Sequence, residues 1–243
     1  MFSLLNKWLS FVRFSHTVFA LPFALAAMVV AARADRGWPG LRTFLLILAA
    51  MVSARTCAMA FNRIADREFD ARNPRTANRH LPTGQVTLLG AWTLWAASGA
   101  GLVAASWLLN PLCFVLSPVA LFVICFYSLT KRFTAYTHVF LGVALALAPV
   151  GAWLAVKGRV QFWPPDESFV LPLVLATAVV FWLVGFDIIY ALQDYEFDRA
   201  HGLHSLVVAW GPTNALRAAF LAHMLMWLLL ALFGFLSLSL IHI

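Results

Sequence analysis

Apolar residues run along this chain in long blocks, near 14–33, 43–65, 86–108, 111–130, 134–156, 168–192 and 214–240. A helix that crosses a bilayer needs about 20 such residues, so the pattern predicts about seven transmembrane helices. A membrane β-barrel would instead show short segments of alternating character, and none is present. From His80 to Thr130 no charged residue occurs, and Asn110-Pro111 divides this stretch into two helices joined by a tight turn. The block at 14–33 is too long for a signal-peptide core, and other spans follow it, so it is expected to remain as the first helix. Pro22, Pro149 and Pro172 fall inside apolar blocks and are expected to kink them.

Composition agrees with the pattern. The chain is 63% hydrophobic and 11% charged, against about 25% charged in soluble domains. No polar linker divides it, so residues 1–243 are expected to form a single all-α, polytopic domain. The net charge of +7 is explained by topology, and nucleic acid is not an expected partner. Lys7, Arg13, Arg63, Arg67, Arg72, Arg75, Arg79, Lys131, Arg132, Arg199 and Arg217 fall on one predicted face. Arg33, Arg36, Arg42, Lys157 and Arg159 fall on the other. That asymmetry predicts a cytoplasmic N-terminus in a bacterial-type inner membrane. Cys57, Cys113 and Cys125 lie in apolar blocks without paired spacing, as small buried residues do. Most of the Phe and Trp residues are expected to face lipid or the membrane interface, and some to line a tunnel. The chain stops inside an apolar run, Leu240-Ile241-His242-Ile243, which predicts that further C-terminal helices are missing.

Two acidic stripes interrupt this apolar background. Asn62, Asp66 and Asp70 recur every four residues, which stacks them on one helical face. Such oxygen donors suit Mg²⁺, whose shell is commonly completed by substrate phosphates. Arg72, Arg75 and Arg79 follow and suit a diphosphate. Tyr190, Asp194 and Asp198 repeat the spacing near the end of the sixth block. Both stripes end on the same predicted face, where they are expected to hold two Mg²⁺ with a diphosphate between them and so assist its departure. Glu68 and Glu196 lie off the stripes and are expected in solvent.

Arg55 and Asp187 each precede a stripe member by seven residues, which places them on the same helical face about 10 Å deeper. An ionisable residue inside a span is costly and usually faces a cavity. Arg55 is expected to bind an acceptor carboxylate. Asp187 is expected to stabilise a carbocation or take the acceptor's proton. The competing expectation is that the two pair with each other as a structural bridge. Lys131 ends the fourth span and is a candidate diphosphate contact. His16 is expected to be a satisfied polar residue, not a ligand.

These residues resemble the UbiA superfamily of intramembrane aromatic prenyltransferases. Asn62, Asp66 and Asp70 match its NxxxDxxxD motif. Asn73-Pro74-Arg75-Thr76, Arg79 and Gly84 look like its 4-hydroxybenzoate polyprenyltransferase branch. Tyr190, Asp194 and Asp198 match the second motif, followed by Gly202-Leu203-His204-Ser205-Leu206. The segments RFSHTVFALPFALAA and YSLTKRFT, the latter with Tyr127 and Lys131, are also similar. The resemblance implies a helical bundle around a cavity, two Mg²⁺ bridged by diphosphate, and a lateral opening for the isoprenoid. It implies metal ligation by Asn62, Asp66, Asp70, Asp194 and Asp198. It implies diphosphate contacts from Lys131, Arg72, Arg79 and Tyr127, and catalytic roles for Asp187, Arg55 and Tyr190. The expected substrates are a polyprenyl diphosphate and an aromatic acid of quinone biosynthesis, by a ubiquinone or a menaquinone route. The family has nine helices where seven are predicted here. The alternative function is a cation- or proton-coupled transporter, which needs polar access from both faces.

Overall fold

In the computed structural model, residues 2–13, 19–33, 37–159 and 169–239 are described. They form α1 (Phe2–Phe11), α2 (Leu21–Ala31), α3 (Leu41–Ala65), α4 (Arg67–Arg72) and α5 (Leu88–Leu109). The order continues with α6 (Pro111–Phe126), α7 (Thr137–Lys157), α8 (Val170–Ala191), α9 (Tyr195–Ala200) and α10 (Leu206–Ser239). There is no strand among the described residues. Among the described residues, six helical segments are long and apolar enough to cross a bilayer, and α2 is a shorter apolar helix. The chain is an integral membrane protein. His16, the start of the first predicted span, most of the 157–167 loop and residues 240–243 lie outside the described residues.

Local chemistry sets the helix ends. Thr87 caps α5 by accepting from the Gly90 N–H at 3.1 Å. Asn110 caps α6 by accepting from the Cys113 N–H at 2.9 Å, and Pro111, which has no N–H to satisfy, opens the helix. Asn110 Nδ2 also donates to the Leu154 carbonyl at 3.0 Å, fastening the predicted turn to the end of α7.

Several expectations about helix interiors are corrected. Pro22 and Pro172 lie in the first turns of α2 and α8, where proline is tolerated, and not at mid-span kinks. Pro149 is inside α7, and so is Pro118 inside α6. The fourth block leaves α-helical geometry at Phe126 and continues as a 3₁₀ segment over Tyr127–Arg132. The last helix begins at Leu206, earlier than the predicted 214, and breaks at Gly211 (φ 77°) before Pro212.

The principal packing pairs are α3 with α5, α7 with α8, and α8 with α10, while α2 lies on α7 and α8. Small residues allow the close approaches. A Cβ on Gly142 would come within 2.9 Å of the Val180 carbonyl, so α7 and α8 meet almost backbone to backbone there. The same holds for Gly185 of α8 against the Ala219 carbonyl of α10. These two glycines sit within a turn of the chemistry described below. The apolar windows of α7 and α8 are 44% buried and those of α6 and α10 only 17%. The former are therefore interior. The latter present Phe122, Trp227 and Phe235 outward, as a lipid-facing surface does.

Candidate active site

Both acidic stripes sit where a helix breaks. α3 ends at Ala65, Asp66 forms the junction, and α4 carries Asp70. α8 ends at Ala191, a 3₁₀ turn carries Asp194, and α9 carries Asp198. The stripes nevertheless remain stripes. Asn62 Nδ2 donates to Asp66 Oδ2 at 3.0 Å across one turn.

The stripes face one cavity of about 260 Å³. Asn62, Asp66 and Asp70 line it from one side, and Asp187, Tyr190, Asp194 and Asp198 from the other. Arg55, Tyr127, Lys131 and Arg79 complete it. Arg72 is the one predicted site residue that stays outside. It is the last residue of α4 and is exposed. Arg75, one short turn later, lines the cavity in its place. Glu68 and Glu196 are exposed.

The carboxylates differ in what they touch. Asp70 is buried and accepts from Arg79 Nη1 at 2.6 and 2.7 Å, with Arg63 Nη1 at 3.9 Å. Asp194 is held by Asn73 Nδ2 at 2.8 Å and by an Arg75 fork whose Nε donates at 2.8 Å. Arg75 also reaches the Tyr190 hydroxyl at 3.3 Å. Asp198 is 2% exposed, and its Oδ2 is buried without a hydrogen-bond partner among the described residues. Burial holds the Asp66 carboxyl up at about 6. Asp70 beside it acts in the same direction, and Lys131, Arg132 and Arg79 oppose. Lys131 interacts electrostatically with Asp198, Asp66, Asp187 and Asp194, at the centre of the acidic groups.

Arg55 and Asp187 do not pair. Asp187 is bonded through Oδ2 to His138 Nδ1 at 2.7 Å. Arg55 Nε is buried with no hydrogen-bond partner among the described residues. Arg55, Tyr127 and Leu145 line both this cavity and a second one of about 200 Å³, whose other walls are almost wholly apolar, including Ile47, Met51, Leu102 and Ala148. An uncompensated guanidinium thus stands between a charged chamber and an apolar one.

Sequence reasoning missed His138, Asn73, Arg63 and Arg13, all of which line the cavity. His138 carried a usable signal, a polar side chain within an apolar span. Asn73 stood only within the family-like segment Asn73-Pro74-Arg75-Thr76, and its role was not legible because it depends on a contact 121 residues away.

Among the described residues no three His, Cys, Asp or Glu side chains gather closely enough to hold an ion by themselves. The donor set nonetheless fits Mg²⁺. Its donors are hard oxygens, Asp198 has an unused buried oxygen, and a Mg²⁺ shell is completed by water and phosphate.

The family model described as the UbiA prenyltransferase family matches residues 20–243. The chain belongs to that family. It is 34% identical over 178 residues to a 4-hydroxybenzoate octaprenyltransferase of Methylobacillus flagellatus, covering 73% of this chain and 57% of that one. It is 31% identical to the Shewanella sediminis protein of the same name, covering 85% of this chain and 70% of that one. The chain thus spans little more than half the length of the Methylobacillus relative. Among solved structures, the apo UbiA homolog from Aeropyrum pernix superposes with a TM-score of 0.82 at 36% identity, covering 90% of this chain and 80% of that one. A UbiA homolog from Archaeoglobus fulgidus bound to GPP and Mg²⁺ superposes with a TM-score of 0.73, covering 95% and 78%. At 22% identity it shows the shared fold.

Proposed function

We propose that this protein transfers a polyprenyl group from its diphosphate to an aromatic acid, in the biosynthesis of a respiratory quinone. The observation that carries this reading is the Arg55 guanidinium, without a hydrogen-bond partner among the described residues and placed where the charged cavity meets the apolar one. Relatives named as 4-hydroxybenzoate octaprenyltransferases, and a neighbour holding GPP and Mg²⁺, support it.

Asn62, Asp66, Asp70, Asp194 and Asp198 would hold two Mg²⁺, which supply the charge that stabilises departing diphosphate. Lys131, Arg75 and Arg79 bind the phosphate oxygens, and Tyr127 and Tyr190 border them. The apolar cavity receives the isoprenyl chain. The allylic C–O bond breaks with its electron pair going to the diphosphate. A ring carbon of the acceptor then bonds to the allylic carbon, and the ring proton leaves to Asp187. Arg55 binds the acceptor's carboxylate, which is why an acid such as 4-hydroxybenzoate, or an aromatic acid of a menaquinone route, fits. The charge asymmetry supports a cytoplasmic N-terminus and a cytoplasmic mouth for the charged cavity.

The test is product mass from purified protein in nanodiscs with geranyl diphosphate and 4-hydroxybenzoate, in Mg²⁺ or in EDTA. A geranylated acid formed only with Mg²⁺ is expected. Failure to release diphosphate with any aromatic acid would overturn the reading. Arg55→Ala is expected to raise the acceptor KM by tenfold or more, consistent with the ~1.5–3 kcal/mol of a charged hydrogen bond. The prenyl diphosphate KM should barely move. An unchanged acceptor KM removes Arg55 from that role.

A further inference from the structure

We propose that His138 is a positioning residue that holds Asp187 as an ionised, aimed base. The proposal deepens the functional reading above and rests on Asp187 taking the ring proton.

The imidazole is 1% exposed and joins three helices. It belongs to α7. Its Nδ1 lies 2.7 Å from Asp187 Oδ2 on α8, and its Nε2 accepts from the backbone N–H of Leu206, the first residue of α10, at 3.4 Å. A nitrogen that accepts a backbone N–H carries no hydrogen of its own. The ring proton of neutral His138 is therefore on Nδ1, and Nδ1 donates to Asp187. Both nitrogens are thus used within the protein. His138 has no free nitrogen with which to shuttle a proton from the cavity, so it orients and does not relay.

The other half of Asp187 is free. Among the described residues its Oδ1 takes no hydrogen bond, and the side chain is 26% exposed and lines the charged cavity. A bridge to Arg55 would tie up the carboxylate's charge. A neutral N–H donor fixes its direction and leaves the anion able to accept a proton. The scaffold is stiff at this point. Thr137 bonds Thr130 through their hydroxyls at 2.7 Å. Gly142 brings α7 against the α8 backbone one turn beyond His138. In the step itself the ring C–H bond breaks, its electron pair restores the aromatic ring, and the proton passes to Asp187 Oδ1.

Wild type, His138→Phe and His138→Asn would be compared in nanodiscs for prenyl transfer. Histidine ¹⁵N spectra of wild type and Asp187→Asn would report the tautomer without reference to activity. His138→Phe is expected to lower kcat roughly tenfold to a hundredfold, as misplacement of a reacting group does, with both KM values within about threefold. Asn, whose amide N–H reaches the Nδ1 position, recovers most of that loss. The wild-type spectrum shows a histidine protonated at Nδ1, and that signal shifts in Asp187→Asn. An unchanged kcat in His138→Phe, a rise in KM in place of the kcat loss, or equal activity of the Phe and Asn variants overturns the proposal. So does a His138 protonated at Nε2. Wild type that transfers no prenyl group overturns the functional reading instead, and the histidine spectrum still judges the pairing.

Discussion

The two acidic stripes share a spacing and a broken helix, yet they are held differently. The first is supported from within its own segment. Asn62 bonds Asp66, and Arg79 and Arg63 hold Asp70, all between residues 62 and 79. The second is supported from the other half of the chain. Asn73 and Arg75 cross to Asp194, while Asp198 keeps an unpartnered buried oxygen. Identical local patterns therefore acquire different electrostatic settings. One loop, residues 72–79, serves both, because it follows the first stripe in sequence and reaches the second in space. Hydrogen-bonded cations thus hold two of the four carboxylates, Asp70 and Asp194, while Asp66 accepts from Asn62 and Asp198 keeps an oxygen without a hydrogen-bond partner among the described residues.

The largest effects are expected at the carboxylates. Asp66→Ala and Asp194→Ala are each expected to reduce prenyl transfer to background, because each removes a charge from a different stripe. Turnover near wild type in either variant would remove that stripe from metal binding. The loop gives a sharper contrast. Arg75→Ala is expected to raise the KM for prenyl diphosphate roughly tenfold to a hundredfold, the worth of charge-assisted hydrogen bonds. Exposed Arg72→Ala should change it less than about twofold. Equal effects would mean that the fork to Asp194 marks no substrate contact.

A smaller effect is a pH dependence at Asp66. Burial disfavours the Asp66 anion and pushes its carboxyl up to about 6, above the usual carboxylate value. The folded, metal-free protein therefore holds this proton at pH values where an unfolded chain would release it, and Mg²⁺ bound there as proposed would have to displace it. Below pH ~6 the Mg²⁺ concentration for half-maximal activity is expected to rise by about tenfold per pH unit, one proton being displaced. A Mg²⁺ requirement independent of pH between 5 and 7 would contradict this. The smallest effect lies in the scaffold. Gly142→Ala, crowded against the Val180 carbonyl, is expected to cost about 1–3 kcal/mol as overpacking. It should lower the melting temperature without altering the contrast between Arg75 and Arg72. A melting temperature equal to wild type would show that α7 and α8 do not pack as closely as described.

Much of the site was legible as spacing. Four-residue repeats survive a helix break because the backbone still advances by about one turn, so Asn62, Asp66 and Asp70 reach one wall together. Arg55 and Asp187 were legible because charge within an apolar block is rarely idle. Arg72 was misplaced because a motif read as a string does not say which way a loop turns. It lies at the end of α4 and points out, while Arg75 turns in. The prolines misled for a related reason. A Pro in an apolar block looks interior until the helix start is known, and Pro22 and Pro172 proved to be starts.

The residue pattern is enough to specify an all-helical membrane protein with two oxygen-rich stripes and two charges inside its spans. Those properties follow from hydrophobic length and helical period, which are local quantities. The partners of these groups come from helix packing. Asp187 could have met Arg55, and it met His138 because α7 and α8 approach through Gly142. Asp194 is held by residues 119 and 121 positions away. Contacts at such separations depend on how helices pack, and packing is set by the shapes of whole faces, not by the spacing of residues along any one of them.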